Sequence, residues 1–378
     1  VYKRQAYYLR HECNVEKGDK VVIAMRNYPE WVFSFMACMF LGAVVVPLNA
    51  WWLPEELVYA LGDSGAKFAI VDAARAERFS TIPHDERPPC LVVRGEFDVP
   101  HGMKRLEDSI LTSGKSVEPL EIDPDADATI LYTSGSTGNP KGAVGTQRGC
   151  VTALMNFAAY GLAYLEVEKQ NGVPEQEQQA VILAVPLFHV TGLVPVCLMS
   201  FLMGRKMVMM HKWDVLDAFR LIEAESATQF VGVPTMSLEL MQHPDREKYD
   251  LSSLRDLSAG GAARPPEHVK RMKEIFPDKN PTAGYGLTET AGAGALNSRE
   301  GYLKRPASTG RATKPIIDLC IMDDEGKHLG VDEVGEVCIR SATLVRGYYN
   351  KPKSTAEAFM DDGWFRTGDL GKIDEDGY

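Results

Sequence analysis

The loop formed by residues 132–142 constrains the fold of this chain more than any other feature. It reads Tyr-Thr-Ser-Gly-Ser-Thr-Gly-Asn-Pro-Lys-Gly, which combines Ser and Thr hydroxyls, three glycines and one lysine. The apolar run before it, residues 128–131, predicts a buried strand. Glycine lets backbone N–H groups converge without Cβ clashes, so a loop of this composition after a strand predicts a cradle for a polyphosphate.

The spacing within this loop excludes two common nucleotide signatures. A Walker loop places glycine five positions after the first glycine and Ser or Thr after the lysine, whereas Pro140 and Gly142 occupy these places. The dinucleotide pattern G-x-G-x-x-G also fails, because neither Gly135 nor Gly138 has a glycine two positions earlier. A flexible linker is the remaining alternative, but Pro140 and Lys141 depart from linker composition.

Composition narrows the class of protein further. The net charge of −11 argues against non-specific nucleic-acid binding. Seven scattered cysteines without a C-x-x-C pair indicate reduced thiols and a cytoplasmic location, not a disulfide framework or a zinc site. The apolar run 31–48 contains Gly42 and Pro47, so it predicts a buried helix followed by a core strand, and no membrane span.

Strand and helix patterns alternate through the first two thirds of the chain, which predicts an α/β fold with largely parallel sheets. The predicted strands are residues 20–25, 43–47, 68–71, 181–185, 206–210, 229–231, 256–259 and 282–285, and the predicted helices include 28–41, 54–61, 215–225 and 267–275. After about residue 298, strands 317–322 and 336–340 are separated by Asp- and Gly-rich turns. This change predicts a smaller antiparallel β subdomain.

Six segments, in order, resemble the motifs of the adenylate-forming superfamily, which includes acyl-CoA synthetases, amino-acid adenylation domains and firefly-type luciferases. They are residues 133–142 (TSGSTGNPKG), 186–192 (PLFHVTG), 258–262 (SAGGA), 284–289 (GYGLTE), 346–350 (RGYYN) and 364–370 (WFRTGDL). The resemblance implies the large N-terminal domain of these enzymes. We expect two largely parallel α/β subdomains in residues 6–297 and an antiparallel β subdomain in 298–378. Residues 1–5 are expected to be a scar of sequence assembly and not part of the natural protein.

The resemblance also implies the reaction and its site. A substrate carboxylate attacks the α-phosphate of ATP, pyrophosphate leaves, and the acyl-adenylate passes its acyl group to coenzyme A. Mg²⁺ would be bound by Glu289, beside Thr288, and His189 would contact the carboxylate or the adenylate phosphate. The implied ATP-binding residues are Thr133, Ser134, Gly135, Ser136, Thr137, Gly138 and Lys141 for the phosphates, Gly260, Gly261, Ala262, Tyr285, Gly286 and Thr288 around the adenine and phosphate, and Asp369 for the ribose.

Each of these residues also has a structural interpretation. Lys141 could be a solvated surface lysine, and Glu289 could be a carboxylate at a helix start. Tyr285 and His189 could be satisfied core residues, and Asp369 a turn residue. The glycines of 260–262 could form a plain strand-to-helix turn.

The substrate is inferred from the region around His189. Amino-acid-activating relatives carry an aspartate in this motif, and none lies near residues 187–189. A plain carboxylic acid is therefore expected: a fatty acid first, a hydroxycinnamate-type aryl acid second. The small residues 291–295 could leave room for the acid or pack elements closely. A non-catalytic nucleotide- or acyl-binding relative is the alternative function.

Relatives continue past residue 378 into a hinge and a small mobile lobe that carries an adenylation lysine. We therefore expect that this chain lacks the mobile lobe, binds ATP and turns over poorly.

Overall fold

The computed structural model describes residues 1–95, 99–107, 115–118, 120–133, 138–174 and 178–378. These residues form two compact units, each discontinuous in sequence. The first comprises Val1–Arg148, Leu187–His189 and Val345–Pro352, and the second the remainder of the chain, beginning at Gly149.

A seven-stranded sheet forms the centre of the first unit. Its strands are β1 (Lys20–Ala24), β2 (Val44–Pro47), β3 (Phe68–Asp72), β4 (Cys90–Val93), β5 (Lys104–Arg105), β6 (Asp127–Thr133) and β7 (Lys141–Thr146). The spatial order is β5-β4-β3-β1-β2-β6-β7, and every neighbouring pair is parallel except β6 and β7. Continuous burial of β2, β3 and β4 is typical of strands inside a parallel sheet.

Helices Tyr2–His11, Pro29–Phe40, Pro54–Ser64 and Ala73–Ser80 complete the first unit. The apolar run 31–48 is the buried helix Pro29–Phe40 followed by β2, as its composition predicted. Proline stands in the first turn of both Pro29–Phe40 and Pro54–Ser64, where its missing N–H removes no intrahelical hydrogen bond.

The second unit contains another seven-stranded sheet. Its strands are β8 (Ala180–Leu183), β9 (Lys206–Met209), β10 (Gln229–Gly232), β11 (Asp256–Ala259), β12 (Asn280–Tyr285), β13 (Ala295–Ser298) and β14 (Arg311–Ala312). The order is β14-β13-β12-β11-β10-β8-β9, parallel from β9 to β12 and antiparallel beyond. Its helical segments include Gly192–Leu198, Met199–Met203, Val215–Glu225, Pro234–Gln242, Pro266–Ile275 and Arg299–Lys304.

A three-stranded antiparallel sheet, β15 (Ile317–Met322), β16 (Gly335–Ser341) and β17 (Phe365–Gly371), also belongs to the second unit, together with the short helix Pro352–Ala358 from residue 353 onward. This is the smaller β element expected near the end of the chain. However, β14 pairs with β13, so the larger sheet continues past residue 298. A two-residue strand such as β14 is too short for its alternation to be recognised in the sequence.

Within the described ranges, one helix, Gln147–Gln170, is long and apolar enough to cross a bilayer by length and composition alone. Val151, Met155 and Leu162 on this helix are exposed. A single helix of this kind is weak evidence for a membrane span, because core helices of soluble proteins meet the same criteria.

Candidate active site

The predicted phosphate loop joins β6 to β7, which pair as an antiparallel hairpin. Thr133 lies opposite Lys141, and the Thr133 hydroxyl donates to the Lys141 carbonyl at 3.4 Å. Gly138 has φ +111°, a conformation that favours glycine. The hairpin thus brings together the two ends of the loop. Four of the residues predicted to contact the ATP phosphates lie outside the described residues: Ser134, Gly135, Ser136 and Thr137.

Side chains from helix Pro54–Ser64 hold the base of this loop. The Tyr132 hydroxyl donates to Asp63 Oδ2 at 2.9 Å, and Lys351 Nζ contacts Asp63 Oδ1 at 2.8 Å. One helical turn before Asp63, the Tyr59 hydroxyl donates to the Pro140 carbonyl at 3.2 Å. Burial, and then the adjacent Asp63 carboxylate, raises the pKa of Tyr132, so this hydroxyl stays a donor. No motif pointed to Asp63 or Lys351.

Lys141 is held beside the loop by the segment Val345–Pro352. Its ammonium lies 5.0 Å from the ring centroid of Tyr348, within the range of a cation–π contact. The same segment is hydrogen-bonded to β7, since the Val144 N–H donates to the Gly347 carbonyl at 2.9 Å. Lys141 is therefore an ordered, half-buried residue of the first unit and not a freely solvated lysine.

In the second unit, the predicted adenine-side residues follow two neighbouring strands. β11 and β12 are parallel, with Ala259 opposite Ala283, so their carboxyl ends meet at one edge of the sheet. Ligands bind at such edges in open α/β sheets. The residues that follow there are Gly260, Gly261 and Ala262 after β11, and Gly286, Thr288 and Glu289 after Tyr285 at the end of β12.

Tyr285 and Asp369 are brought into direct contact. The Tyr285 hydroxyl donates to Asp369 Oδ2 at 2.8 Å, although 84 positions separate the two residues in the chain. Burial raises the pKa of Tyr285, and the Asp369 carboxylate adds to this rise. Asp369 itself is exposed on β17. The residues predicted to contact adenine and ribose therefore lie side by side.

Glu289 lies in a single 3-10 turn, Thr288–Thr290, and its side chain is buried. Among the residues with described coordinates, no cluster of three or more His, Cys, Asp or Glu side chains could hold a metal ion. Mg²⁺ commonly takes one or two carboxylates and completes its shell with water and substrate phosphates. One hard carboxylate oxygen, with the neighbouring Thr288 hydroxyl, fits that mode of binding.

The small residues after Glu289 pack backbone against backbone. A Cβ on Gly286 would lie 2.3 Å from the Gly292 carbonyl oxygen, and one on Gly294 would lie 2.4 Å from the Tyr285 carbonyl oxygen. Ala293 between them is fully buried. Of the two interpretations of residues 291–295, close packing is therefore the one that the structure supports.

The His189 side chain keeps access to solvent, so it is not a core histidine, although the surrounding protein removes part of its hydration. The residues before it are fixed within the first unit: the Leu187 N–H donates to Asn27 Oδ1 at 2.9 Å, and Phe188 packs edge-on against Trp51. Loss of solvation by the surrounding protein lowers the pKa of the His189 imidazole, which favours its neutral form. A neutral imidazole can donate from one nitrogen and accept at the other.

A cavity of about 340 Å³ lies within the second unit. Helix Gln147–Gln170 forms one side, and Ser258 of β11, Thr282 of β12 and Leu296 of β13 form another. β11 and β12 also carry the predicted adenine-side residues at or after their carboxyl ends. Sequence motifs gave no signal for the cavity, because its lining comes from single positions in many elements.

The fold and these residues define an α/β protein with nucleotide-site motifs at a β-hairpin and at the ends of parallel strands. The profile of the family described as "AMP-binding enzyme" matches residues 2–349. The chain belongs to this family. The predicted family and fold class, the large N-terminal domain of adenylate-forming enzymes, are therefore confirmed.

Known relatives agree with this assignment. The chain is 32% identical over 366 residues to long-chain-fatty-acid–CoA ligase FadD13 of Mycobacterium tuberculosis, an alignment that covers 96% of this chain and 68% of that protein. It is 29% identical to 4-coumarate–CoA ligase 1 of Arabidopsis thaliana, covering 100% of this chain and 67% of the relative. The N-terminal domain of FACL13 from Mycobacterium tuberculosis superposes with a TM-score of 0.83 at 30% identity, covering 100% of this chain and 89% of that one.

Proposed function

We propose that this chain is the nucleotide-binding part of an AMP-forming acid–thiol ligase. A substrate carboxylate oxygen bonds to the α-phosphorus of ATP, the bond to the β-phosphate oxygen breaks, and pyrophosphate leaves. The coenzyme A sulfur then bonds to the acyl carbon, the bond from that carbon to the phosphate oxygen of AMP breaks, and AMP and the thiol proton are released. The proposal rests on the contact between Tyr285 and Asp369. These residues belong to two separate motifs, one assigned to the adenine and one to the ribose, and the Tyr285 hydroxyl lies 2.8 Å from Asp369 Oδ2.

The phosphate end of ATP is assigned to the hairpin loop. Thr133 and Gly138 would contribute hydroxyl and N–H donors, and Lys141 a point charge. Ser134, Gly135, Ser136 and Thr137 are proposed donors on sequence grounds alone. Such a site works by positioning and charge neutralisation, so it needs no protein nucleophile.

The adenosine end is assigned to the second unit. Tyr285 would stack on the purine, and Gly260, Gly261, Ala262 and Gly286 would let backbone approach it. Asp369 would accept hydrogen bonds from the ribose hydroxyls. Its Oδ2 accepts from Tyr285, and its Oδ1 has no partner among the described side chains and can accept from the ribose. Thr288 and Glu289 would hold Mg²⁺, which neutralises phosphate charge when bound.

The acid is proposed to be a fatty acid, with a hydroxycinnamate-type aryl acid as the alternative. FadD13 and 4-coumarate–CoA ligase 1 are similarly distant relatives, so similarity favours neither class decisively. His189, neutral and exposed, would hydrogen-bond the carboxylate or the adenylate phosphate. Seven free thiols support a reducing compartment, and we propose the cytoplasm.

The test is pyrophosphate release from ATP by a protein that includes any further lobe, measured against fatty, aryl and amino acids, together with equilibrium binding of ATP to the chain. We expect ATP binding in every case and release only with a plain carboxylic acid. Asp369→Ala should weaken ATP binding, whereas Asp361→Ala, an exposed aspartate on a neighbouring turn, should not. Nucleotide binding without acid-dependent release, in a chain that includes any further lobe, would favour the non-catalytic relative.

A further inference from the structure

The cavity of the second unit has two chemically different ends. Near one end, Pro195 lies 3.8 Å from the position that a Cβ on Gly292 would occupy, beside the turn that carries Glu289. At the other end, Asp256 begins β11 and Gln229 begins β10, so the lining reaches the amino-terminal edge of the sheet. Four residues of strand, about 13 Å, separate that edge from the glycines after β11.

The far end of the cavity contains a guanidinium, that of Arg205, which forms no ion pair with a carboxylate within the described part of the chain. Arg205 Nε donates to Gln179 Oε1 at 3.0 Å, and Nη1 donates to Gln229 Oε1 at 3.2 Å. Both acceptors are neutral amides. Nη2 points towards Gly161, 3.7 Å from a Cβ placed there, and has no hydrogen-bond partner among the described residues.

A second arginine at this end, Arg299, differs from Arg205 because it is paired with carboxylates. Arg299 forms an ion pair with Glu168 at 2.8 Å, approaches Asp256 at 3.7 Å, and lies over the Tyr164 ring. Its charge is balanced by the protein. For Arg205, loss of solvation lowers the pKa of the guanidinium and the carboxylate of Asp256 only partly opposes this. The spare donor of Arg205 therefore lacks a protein acceptor among the described residues.

A plain hydrocarbon tail would fit this end poorly. It would remove the remaining water from Arg205 Nη2 and supply no acceptor in exchange, and a buried donor left unsatisfied is costly. An oxygen at the far end of the acid would supply that acceptor. A carboxylate would also balance the described part of the charged lining, in which Lys169, Arg205, Arg255 and Arg299 outnumber Glu168 and Asp256.

We propose that the acid activated by this enzyme carries an oxygen at the end remote from its reacting carboxylate, and that Arg205 Nη2 binds that oxygen in this cavity. The inference rests on the proposed function and assigns its substrate class as an acid with an oxygenated far end. Arg205 is then the residue that determines specificity, held in place by the amides of Gln179 and Gln229.

The test uses acyl-sulfamoyl adenosines, which mimic the acyl-adenylate and cannot transfer the acyl group. Octanoyl, decanoyl and dodecanoyl compounds are compared with a methyl, a hydroxyl or a carboxylate at the far end, by calorimetric titration of the chain. At the best-fitting length, the oxygenated compound should bind about tenfold more tightly or better, as one hydrogen bond to a charged group provides. The carboxylate and hydroxyl arms identify which oxygen is preferred.

Arg205→Met should abolish this preference and leave the affinity for the methyl-ended compound equal or higher. Lys206→Met is the matched control, because the adjacent Lys206 is exposed, pairs with Glu225 and does not line the cavity. Equal or tighter binding of methyl-ended compounds to the unmodified chain at every length would overturn the inference and leave the proposed function standing, whatever the fold of the variants. Failure of every compound to bind would overturn both.

Discussion

Removal of the Asp63 carboxylate tests how the phosphate loop is held. The Asp63 side chain is 6% exposed, accepts from Tyr132 at 2.9 Å and pairs with Lys351 at 2.8 Å. A hydrogen bond to a charged group contributes about 1.5–3 kcal/mol. Lys351 is 36% exposed and can regain water, so its pairing adds about 1 kcal/mol or less. Asp63→Ala should therefore cost about 2–4 kcal/mol of unfolding free energy in the first unit.

For a unit of this size, that cost corresponds to a fall in Tm of about 5–15 °C, measurable by differential scanning calorimetry. Because Tyr132 begins the loop, affinity for ATP should fall in the same variant. Glu55→Ala, at an exposed position on the same helix, is the control and should change neither quantity. A Tm for Asp63→Ala within about 1 °C of the unmodified chain, with unchanged ATP affinity, would refute the reasoning, since the computed cost exceeds the usual scatter of surface substitutions.

Two further substitutions separate packing from electrostatics. Gly286→Ala would place a methyl group 2.3 Å from the Gly292 carbonyl oxygen, so we expect the free energy of unfolding to fall by about 2 kcal/mol or more and ATP to bind more weakly. The control is Gly284→Ala, where no atom lies within 4 Å of the added methyl group, and it should change stability by less than about 1 kcal/mol. Equal melting curves for the two variants would contradict this reasoning. The pKa of His189 is lowered in the folded chain, so between about pH 6.5 and that lower value the unfolded chain binds the proton first, and stability falls as the pH falls. His189→Gln should flatten this part of the Tm-against-pH profile and His84→Gln should not; an unchanged slope would show that His189 titrates normally.

The local elements of this chain follow directly from its sequence. β11 and helix Val215–Glu225 have the bounds that their patterns predict, and most other strands begin or end within one or two residues of prediction. Burial imposes period-specific patterns on such segments, and proline and glycine mark their ends. The motif residues at the end of β12 were likewise recognisable, since they are contiguous.

Other parts of the site have no local signal. Asp63 meets Lys351 across 288 positions, and Tyr285 meets Asp369 across 84. Arg205 resembles any exposed arginine in the sequence, yet the starts of β8 and β10 place two glutamines against it. Which side chains meet depends on how these distant segments pack in the folded chain.

The sequence alone therefore determined most of the parallel strands, the glycine-rich loop and the family, because these depend on contiguous residues and their hydrophobic period. Only the tertiary structure decided that an acidic side chain supports the loop and that a guanidinium without an ion-pair partner among the described residues lies at the end of a cavity. The first feature arises where helix Pro54–Ser64 meets β6, and the second where the starts of β8 and β10 lie side by side in a parallel sheet. No contiguous pattern encodes either arrangement.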